Sequence, residues 1–132
     1  MKPSQKSVRD ISLEWRRDLQ AGREPFYAEI GNLLDDFRAH CRTPQERMAL
    51  VSEPPVSTGQ AETGPYLAAL AESLCREFDM RPPAWTEQPD YYLKRPWFAG
   101  GLESLKAILL AESPTAFRRR NLFVSANALS RA

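Results

Sequence analysis

The sequence PYLAALAESLCREF occupies residues 65–78 and carries a helical pattern of large apolar side chains. These side chains recur three and four positions apart, a spacing that places them along one face of an α-helix. They are Tyr66, Leu67, Leu70, Leu74 and Phe78. The alanines between them are small enough for close helix packing. We therefore predict a helix over residues 65–78 with a closely packed apolar face.

The same spacing predicts three helices before this one. They cover residues 7–20, 25–41 and 43–52. Pro25 favours the first turn of the second helix, and Thr43-Pro44-Gln45-Glu46 is a capping box that starts the third. Paired prolines after Glu53 end that helix, because proline has no amide hydrogen to donate.

Residues 84–98 are dense in proline and aromatic residues and have no helical period. Large rings are seldom left in water, so we expect an ordered irregular loop in which Trp85 and Trp97 fill gaps between helices. The alternative is a recognition surface, since rigid rings bury much area at low entropic cost.

The C-terminal part predicts a fifth helix over residues 102–111, a helical turn within residues 113–120, a brief extended piece over residues 121–124, and a last turn capped by Ser125. The side chains of the fifth helix expected to face inward are Leu102, Leu105, Ile108 and Leu109. These elements predict an all-α fold class. The domain would be compact, with five to six helices, an ordered proline and aromatic loop, and a short extended C-terminal piece.

The length of 132 residues fits one helical domain, residues 1–132. Hydrophobic residues make up 42% of the chain and charged residues 27%, proportions that exclude a globally disordered protein. The break at residues 53–59 divides the domain into two candidate subregions, residues 1–53 and 60–132. The net charge of +1 argues against a protein held to nucleic acid by bulk charge.

No apolar run follows residues 1–6, so we predict neither a signal peptide nor a membrane span, no membrane partner, and a cytoplasmic location. Cys41 and Cys75 lie on apolar helix faces and are expected to be small buried hydrophobes.

The sequence offers few side chains suited to catalysis. One histidine, His40, and two cysteines far apart in the chain do not make a zinc site, so we expect no metal and no cofactor. No phosphate-binding glycine loop or nucleophile elbow is present. The adjacent pair Asp35-Asp36 fits a solvated helix face rather than an acid and base pair. We therefore predict that the chain is not an enzyme.

Consecutive arginines at residues 118–120 can bind carboxylates or phosphates through paired hydrogen bonds. The alternative is a helix end whose cations offset the helix dipole. With a net charge near zero, such a patch favours a local acidic surface over long nucleic acid. The predicted partner-binding residues are Arg118, Arg119, Arg120, Asn121, Tyr91 and Tyr92.

Helices over residues 25–53 leave a second hypothesis open, a DNA-binding transcriptional regulator of the helix-turn-helix kind. Their turn, Arg42-Thr43-Pro44, lacks the usual glycine. Gln45 and Arg47 are the candidates for contacts with base edges.

Several short segments within residues 47–132 resemble a widespread group of small uncharacterised bacterial proteins. They are Glu53-Pro54-Pro55 with Thr58-Gly59, Pro83-Ala84-Trp85, Pro96-Trp97-Phe98, Glu112-Ser113-Pro114, and the most specific one, FRRRNLFV at residues 117–124. The resemblance implies an antitoxin-like partner of nucleotidyltransferase-type toxins. Some chains of this group carry an N-terminal DNA-binding helix-turn-helix, a feature from which this chain's N-terminal helices depart.

Together these patterns predict a non-enzymatic antitoxin-like or accessory protein that binds and neutralises a partner protein, a toxin. An arginine side chain would enter the acidic metal site of that toxin. The sequence leaves the oligomeric state open, a homodimer included.

Overall fold

The computed structural model describes residues 5–24, 28–99 and 106–130. These residues form six α-helices, several single turns of 3-10 helix and one pair of two-residue strands. The helices are α1 (Val8–Gln20), α2 (Ala28–Asp35), α3 (Pro44–Val51), α4 (Thr63–Glu77), α5 (Lys106–Glu112) and α6 (Thr115–Arg118). The predicted all-α class with five to six helices is confirmed.

Both α1 and α3 begin where their sequences predict, because a side chain caps each one. The Ser7 hydroxyl accepts a hydrogen bond from the Asp10 amide, and the Asp10 carboxylate accepts one from the Ser7 amide. The Thr43 hydroxyl accepts a hydrogen bond from the Glu46 amide, and the Glu46 carboxylate accepts one from the Arg42 amide at 3.3 Å. Such caps replace bonds that the first amides of a helix otherwise lack.

The helix predicted over residues 25–41 has two parts. Its start at Pro25 lies outside the described residues, and α2 continues beyond Asp35 as a π-helical segment, Asp36–His40. The Cys41 amide closes this segment by donating to the Asp36 carbonyl. Phe37 is fully buried there, whereas His40 is exposed.

Helix α4 lies between two hydrophobic clusters and is buried on every side in its middle. Leu67, Leu70 and Leu74 face the first cluster, together with residues from α1, α2, α3 and Trp85. Ala69 faces the second cluster, which also contains Phe117, Leu122 and Val124. Both candidate subregions therefore contribute side chains to the first cluster.

The proline and aromatic segment is ordered, as predicted. It contains two 3-10 turns, Ala84–Glu87 and Pro89–Tyr91, followed by strand β1, Trp97–Phe98. Trp85 fills a gap between helices, since it is buried and its indole nitrogen donates to the Val51 carbonyl at 2.8 Å. Trp97 is half-buried and packs against the second cluster.

The predicted extended piece is strand β2, Leu122–Phe123, which pairs in parallel with β1. The buried Ser113 hydroxyl ties α5 to this strand, because it donates to the Leu109 carbonyl and accepts the Val124 amide. The last turn, Ala126–Leu129, is capped by Ser125 as expected.

For α5, the predicted inward face is right at one position and wrong at another. Leu109 is buried, but the side chain of Ile108 is half exposed. Leu109 lies on the side of α5 that packs against β2, whereas its neighbour Ile108 is turned toward water. The buried face of α5 is therefore narrower than the sequence predicts. Leu102 and Leu105 lie outside the described residues.

Phe117 anchors the second cluster, where it is fully buried and its ring meets that of Tyr66 edge to face at 5.1 Å. We expect Phe117→Ala to lower the free energy of unfolding by about 3–5 kcal/mol, because it removes apolar contacts and leaves a cavity. Urea titration followed by circular dichroism measures this. Ile108→Ala is the control and should change the value by less than about 0.5 kcal/mol. Equal effects of the two substitutions would contradict this packing.

Both cysteines are buried, as the sequence predicts, and neither forms a disulfide. Burial raises the pKa of the Cys75 thiol to about 11, despite the opposing charge of Arg76. Since only the thiolate attacks a disulfide reagent, the folded chain should react slowly with Ellman's reagent at pH 8. In urea the same two thiols should react at once. Fast reaction of both thiols in the folded chain would show that Cys75 is accessible.

Candidate functional site

The three consecutive arginines at and just after the end of α6 point into three different environments. Arg118 is exposed and donates to the Ser113 carbonyl at 2.7 Å. Arg119 is partly exposed, with 38% of its side chain accessible, and Arg120 is fully buried. The run is therefore not a single basic patch.

Arg120 is anchored inside the protein by acceptors from three elements. Its Nη1 lies 2.8 Å from both the Ala116 carbonyl and Glu72 Oε1, and its Nη2 donates to the Thr86 carbonyl at 2.9 Å. The guanidinium carbon lies 4.8 Å from the centre of the Tyr92 ring. Arg120 thus holds α4, α6 and the 3-10 turn Ala84–Glu87 together, and its guanidinium does not reach the surface.

The carboxylate of Glu72 is the centre of this network. Only 3% of its side chain is exposed, and it contacts Arg76 Nε at 3.1 Å, Arg119 Nη1 at 2.8 Å and Arg120 Nη1 at 2.8 Å. Burial alone would raise the pKa of this carboxyl. The contacts with Arg120 and Arg76 and the charge of Arg119 outweigh burial, so the pKa of Glu72 lies below its ordinary value.

A second carboxylate, Glu87, approaches Arg119 from the solvent side. Tyr92 donates its hydroxyl hydrogen to Glu87 Oε2 at 2.7 Å and accepts a hydrogen bond from Arg119 Nη2 at 2.9 Å. Arg119 Nη2 also donates to Glu87 Oε2 at 3.1 Å. The hydrogen bond from Tyr92 is the largest influence that holds the pKa of Glu87 below its ordinary value, with Arg119 acting in the same direction.

An open groove of about 1080 Å³ lies beside these groups. Its charged lining consists of Arg76, Arg81 and Arg119 together with Asp79 and Glu87. The remaining lining residues are Met80, Pro82, Pro83 and Ala84. The groove therefore combines three guanidinium groups with an apolar, proline-rich wall, and we call it the arginine groove.

The chain reversal after α4 builds this groove. The Met80 amide donates to the Cys75 carbonyl and the Asp79 amide donates to the Arg76 carbonyl, which is the Schellman pattern of a helix end. Asp79 has a φ of 54°, the left-handed conformation that this pattern requires. The prolines that follow cannot continue a helix, so Arg81 is directed to the same groove as Arg76.

The six residues predicted to bind a partner do not form one surface. Arg119 lines the arginine groove. The Tyr92 hydroxyl accepts a hydrogen bond from Arg119 and donates one to Glu87. Asn121 is half-buried with a φ of 63°, and its side-chain amide donates to the Leu93 carbonyl at 2.8 Å. Tyr91 packs on Trp85, with ring centres 5.1 Å apart, and lines a different cavity.

The sequence analysis missed Glu72 and four of the five charged residues that line the groove, namely Arg76, Asp79, Arg81 and Glu87. Glu72 carries the signal that could have found them. It is the one charged residue of residues 65–75, and Arg76 follows four positions later. A charge at such a position is rarely buried without a cationic partner.

The other candidate chemistry groups have local roles. His40 is exposed, and its Nδ1 lies 2.8 Å from Asp36 Oδ1. The described residues contain no cluster of three or more histidine, cysteine, aspartate or glutamate side chains placed to hold a metal ion. Arg47, a candidate for base contacts, donates to the carbonyls of Phe37 and Cys41 and covers the ring of Phe78 at 4.0 Å.

Comparisons with known proteins leave the resemblance noted in the sequence as a prediction. No protein-family model, curated protein or solved structure matches this chain. Among the helices of the described residues, none combines the length and hydrophobicity needed to cross a bilayer.

Removing the central carboxylate should destabilise the fold. We expect Glu72→Gln to lower the free energy of unfolding by about 3–5 kcal/mol at pH 7, because it removes the buried counter-charge of Arg120 and leaves it only the exposed carboxylate of Glu87, 3.8 Å away. The pKa of Glu72 is depressed in the folded state, so its stabilisation is present above the ordinary value of 4.5 and is lost as pH falls through the folded-state value. The difference between the two proteins should therefore shrink in acid.

Urea titrations at several pH values between about 7 and 3 measure this difference over the range where carboxyls titrate. Glu77→Gln is the matched control, since Glu77 is also on α4 and forms an ion pair with Arg38, but 39% of its side chain is exposed. Its effect should stay below about 1 kcal/mol. A Glu72→Gln difference that does not change with pH would rule out the ionised carboxylate as the stabilising group.

Proposed function

We propose that this chain is a non-catalytic protein-binding module whose arginine groove receives an acidic surface of a partner protein. The observation that carries the proposal is the convergence of Arg76, Arg81 and Arg119 on one open groove. Guanidinium groups are well suited to carboxylates because they donate two parallel hydrogen bonds.

Two of the three arginines are fixed before any partner arrives. Arg76 and Arg119 both bond to the buried carboxylate of Glu72. A side chain that is already ordered loses little entropy on binding, so more of the interaction energy contributes to affinity. Arg76 nevertheless keeps 61% of its side chain exposed, which leaves its Nη groups open to a partner.

Arg81 is the cation most available to a ligand. It is exposed, lines the groove, and forms no hydrogen bond or ion pair with another described residue. A partner carboxylate that meets Arg81 would therefore not have to displace an internal acceptor. The neighbouring prolines give the same ligand a rigid apolar wall.

The charged groups of the groove favour binding over proton transfer. Arginine side chains stay protonated in proteins and are poor acids and bases, and three of the five charged residues of the groove are arginines. The pKa of Glu87 lies below its ordinary value, so this carboxylate is ionised at neutral pH and is a poor proton donor. These properties support a contact-based role.

We further propose that the partner is a toxin that this chain neutralises in the cytoplasm, as expected of an antitoxin-like protein. A nucleotidyltransferase-type toxin would present the carboxylates of its metal site, and that chemistry is complementary to the groove. The internal bonds of Arg47 favour this hypothesis over DNA recognition by α3, since they occupy one of its two candidate base-reading side chains.

Reversing the charge of Arg81 should weaken partner binding. We expect Arg81→Glu to reduce affinity for the protein encoded beside this one in its genome by about tenfold or more, with little change in stability. Isothermal titration calorimetry at two salt concentrations measures the affinity and its electrostatic part.

Arg17→Glu is the control, because Arg17 is an exposed arginine of α1 that does not line the groove. It should bind like the unaltered chain. Equal losses for both variants would mean that overall charge, and not the groove, determines binding. A neighbouring protein that shows no binding would argue against the antitoxin part of the proposal.

A further inference from the structure

Glu87 and Glu72 both contact Arg119, but their surroundings differ. The side chain of Glu72 is 3% exposed, whereas that of Glu87 is 52% exposed. Glu87 ends the 3-10 turn Ala84–Glu87 and lines the arginine groove. Exposed ion pairs contribute little to stability, so a competing carboxylate can replace Glu87 more readily than Glu72.

We propose that Glu87 occupies the place of a ligand carboxylate. This inference rests on the proposed function and names the ligand class: an acidic polypeptide segment whose aspartate or glutamate side chain takes over the bonds of Glu87. Its carboxylate would accept hydrogen bonds from Arg119 Nη2 and from the Tyr92 hydroxyl, which now lie 3.1 Å and 2.7 Å from Glu87 Oε2.

The donors at this position remain in place when Glu87 turns outward. Arg119 is held from the inside by Glu72, at 2.8 and 2.9 Å from its two carboxylate oxygens. Arg120 supports the Tyr92 ring from its buried side. The pocket for a carboxylate therefore does not depend on Glu87 for its shape.

Charge also favours exchange with a multivalent acidic segment. With Glu87 turned out, the groove lining has three guanidinium groups and one carboxylate, Asp79, among the described residues. A segment with several carboxylates can contact Arg119, Arg81 and Arg76 together, whereas the one carboxylate of Glu87 pairs with Arg119 at 3.1 Å and with the buried Arg120 at 3.8 Å. Glu87 thus competes with the ligand and limits binding to segments with more than one negative charge.

The test compares binding of a capped oligoglutamate peptide to the unaltered chain and four variants of it by calorimetry at low salt. Glu87→Gln keeps the shape of the side chain and removes its charge, so it should bind the peptide about fivefold more tightly than the unaltered chain. Tyr92→Phe removes one donor and should bind it a few-fold more weakly. Glu53→Gln is the matched control, since Glu53 is also an exposed glutamate paired with an arginine, Arg9, and should change nothing.

Arg81→Gln separates the two proposals. Suppose that Arg81→Gln weakens peptide binding while Glu87→Gln leaves the affinity unchanged. The groove then binds acidic segments but Glu87 does not compete with them, so the inference about Glu87 is overturned and the proposed function stands. If the peptide binds none of the forms, or if neither groove substitution alters its affinity, both proposals are overturned. A single-stranded oligonucleotide of equal charge that binds more tightly than the peptide would overturn the acidic-polypeptide assignment.

Discussion

A single buried carboxylate, Glu72, contacts the guanidinium groups of Arg76, Arg119 and Arg120. Placing an ion inside a protein is costly unless it is matched by charge and hydrogen bonds. Here the match comes from the same helix and from the end of α6, so the network fixes α6 against α4. The position of α6 in turn places Arg119 beside the proline-rich turn, and both line the groove together with the end of α4.

A hydrophobic replacement of a buried ion network is often no less stable, so stability alone does not account for this arrangement. The network also orients side chains that remain at the surface. Arg119 bonds to Glu72 on one side and reaches the groove on the other. The same carboxylate therefore supports both the packing of the C-terminal segment and the geometry of the candidate binding surface.

Local patterns predicted most of the helices, whereas the site depended on contacts between distant parts of the chain. Capping at Ser7 and Thr43 and the apolar spacing of α1 and α4 are visible within a few residues, and the helices begin and end close to the predicted positions. In contrast, Arg119 and Glu72 are 47 positions apart. A run of three arginines looks the same in sequence whether its members are exposed or buried, because burial is decided by the elements that pack on it.

The same limit explains the partial agreement at the predicted binding residues. Side chains at the end of a short helix point in different directions. Arg118 therefore lies on the surface, Arg119 at the boundary between surface and core, and Arg120 in the interior. Only the boundary residue can transmit an effect between the core and the solvent. Since Arg119 shares its guanidinium between a buried carboxylate and an exposed one, a ligand that replaces the exposed carboxylate leaves the buried contact, and hence the fold, intact.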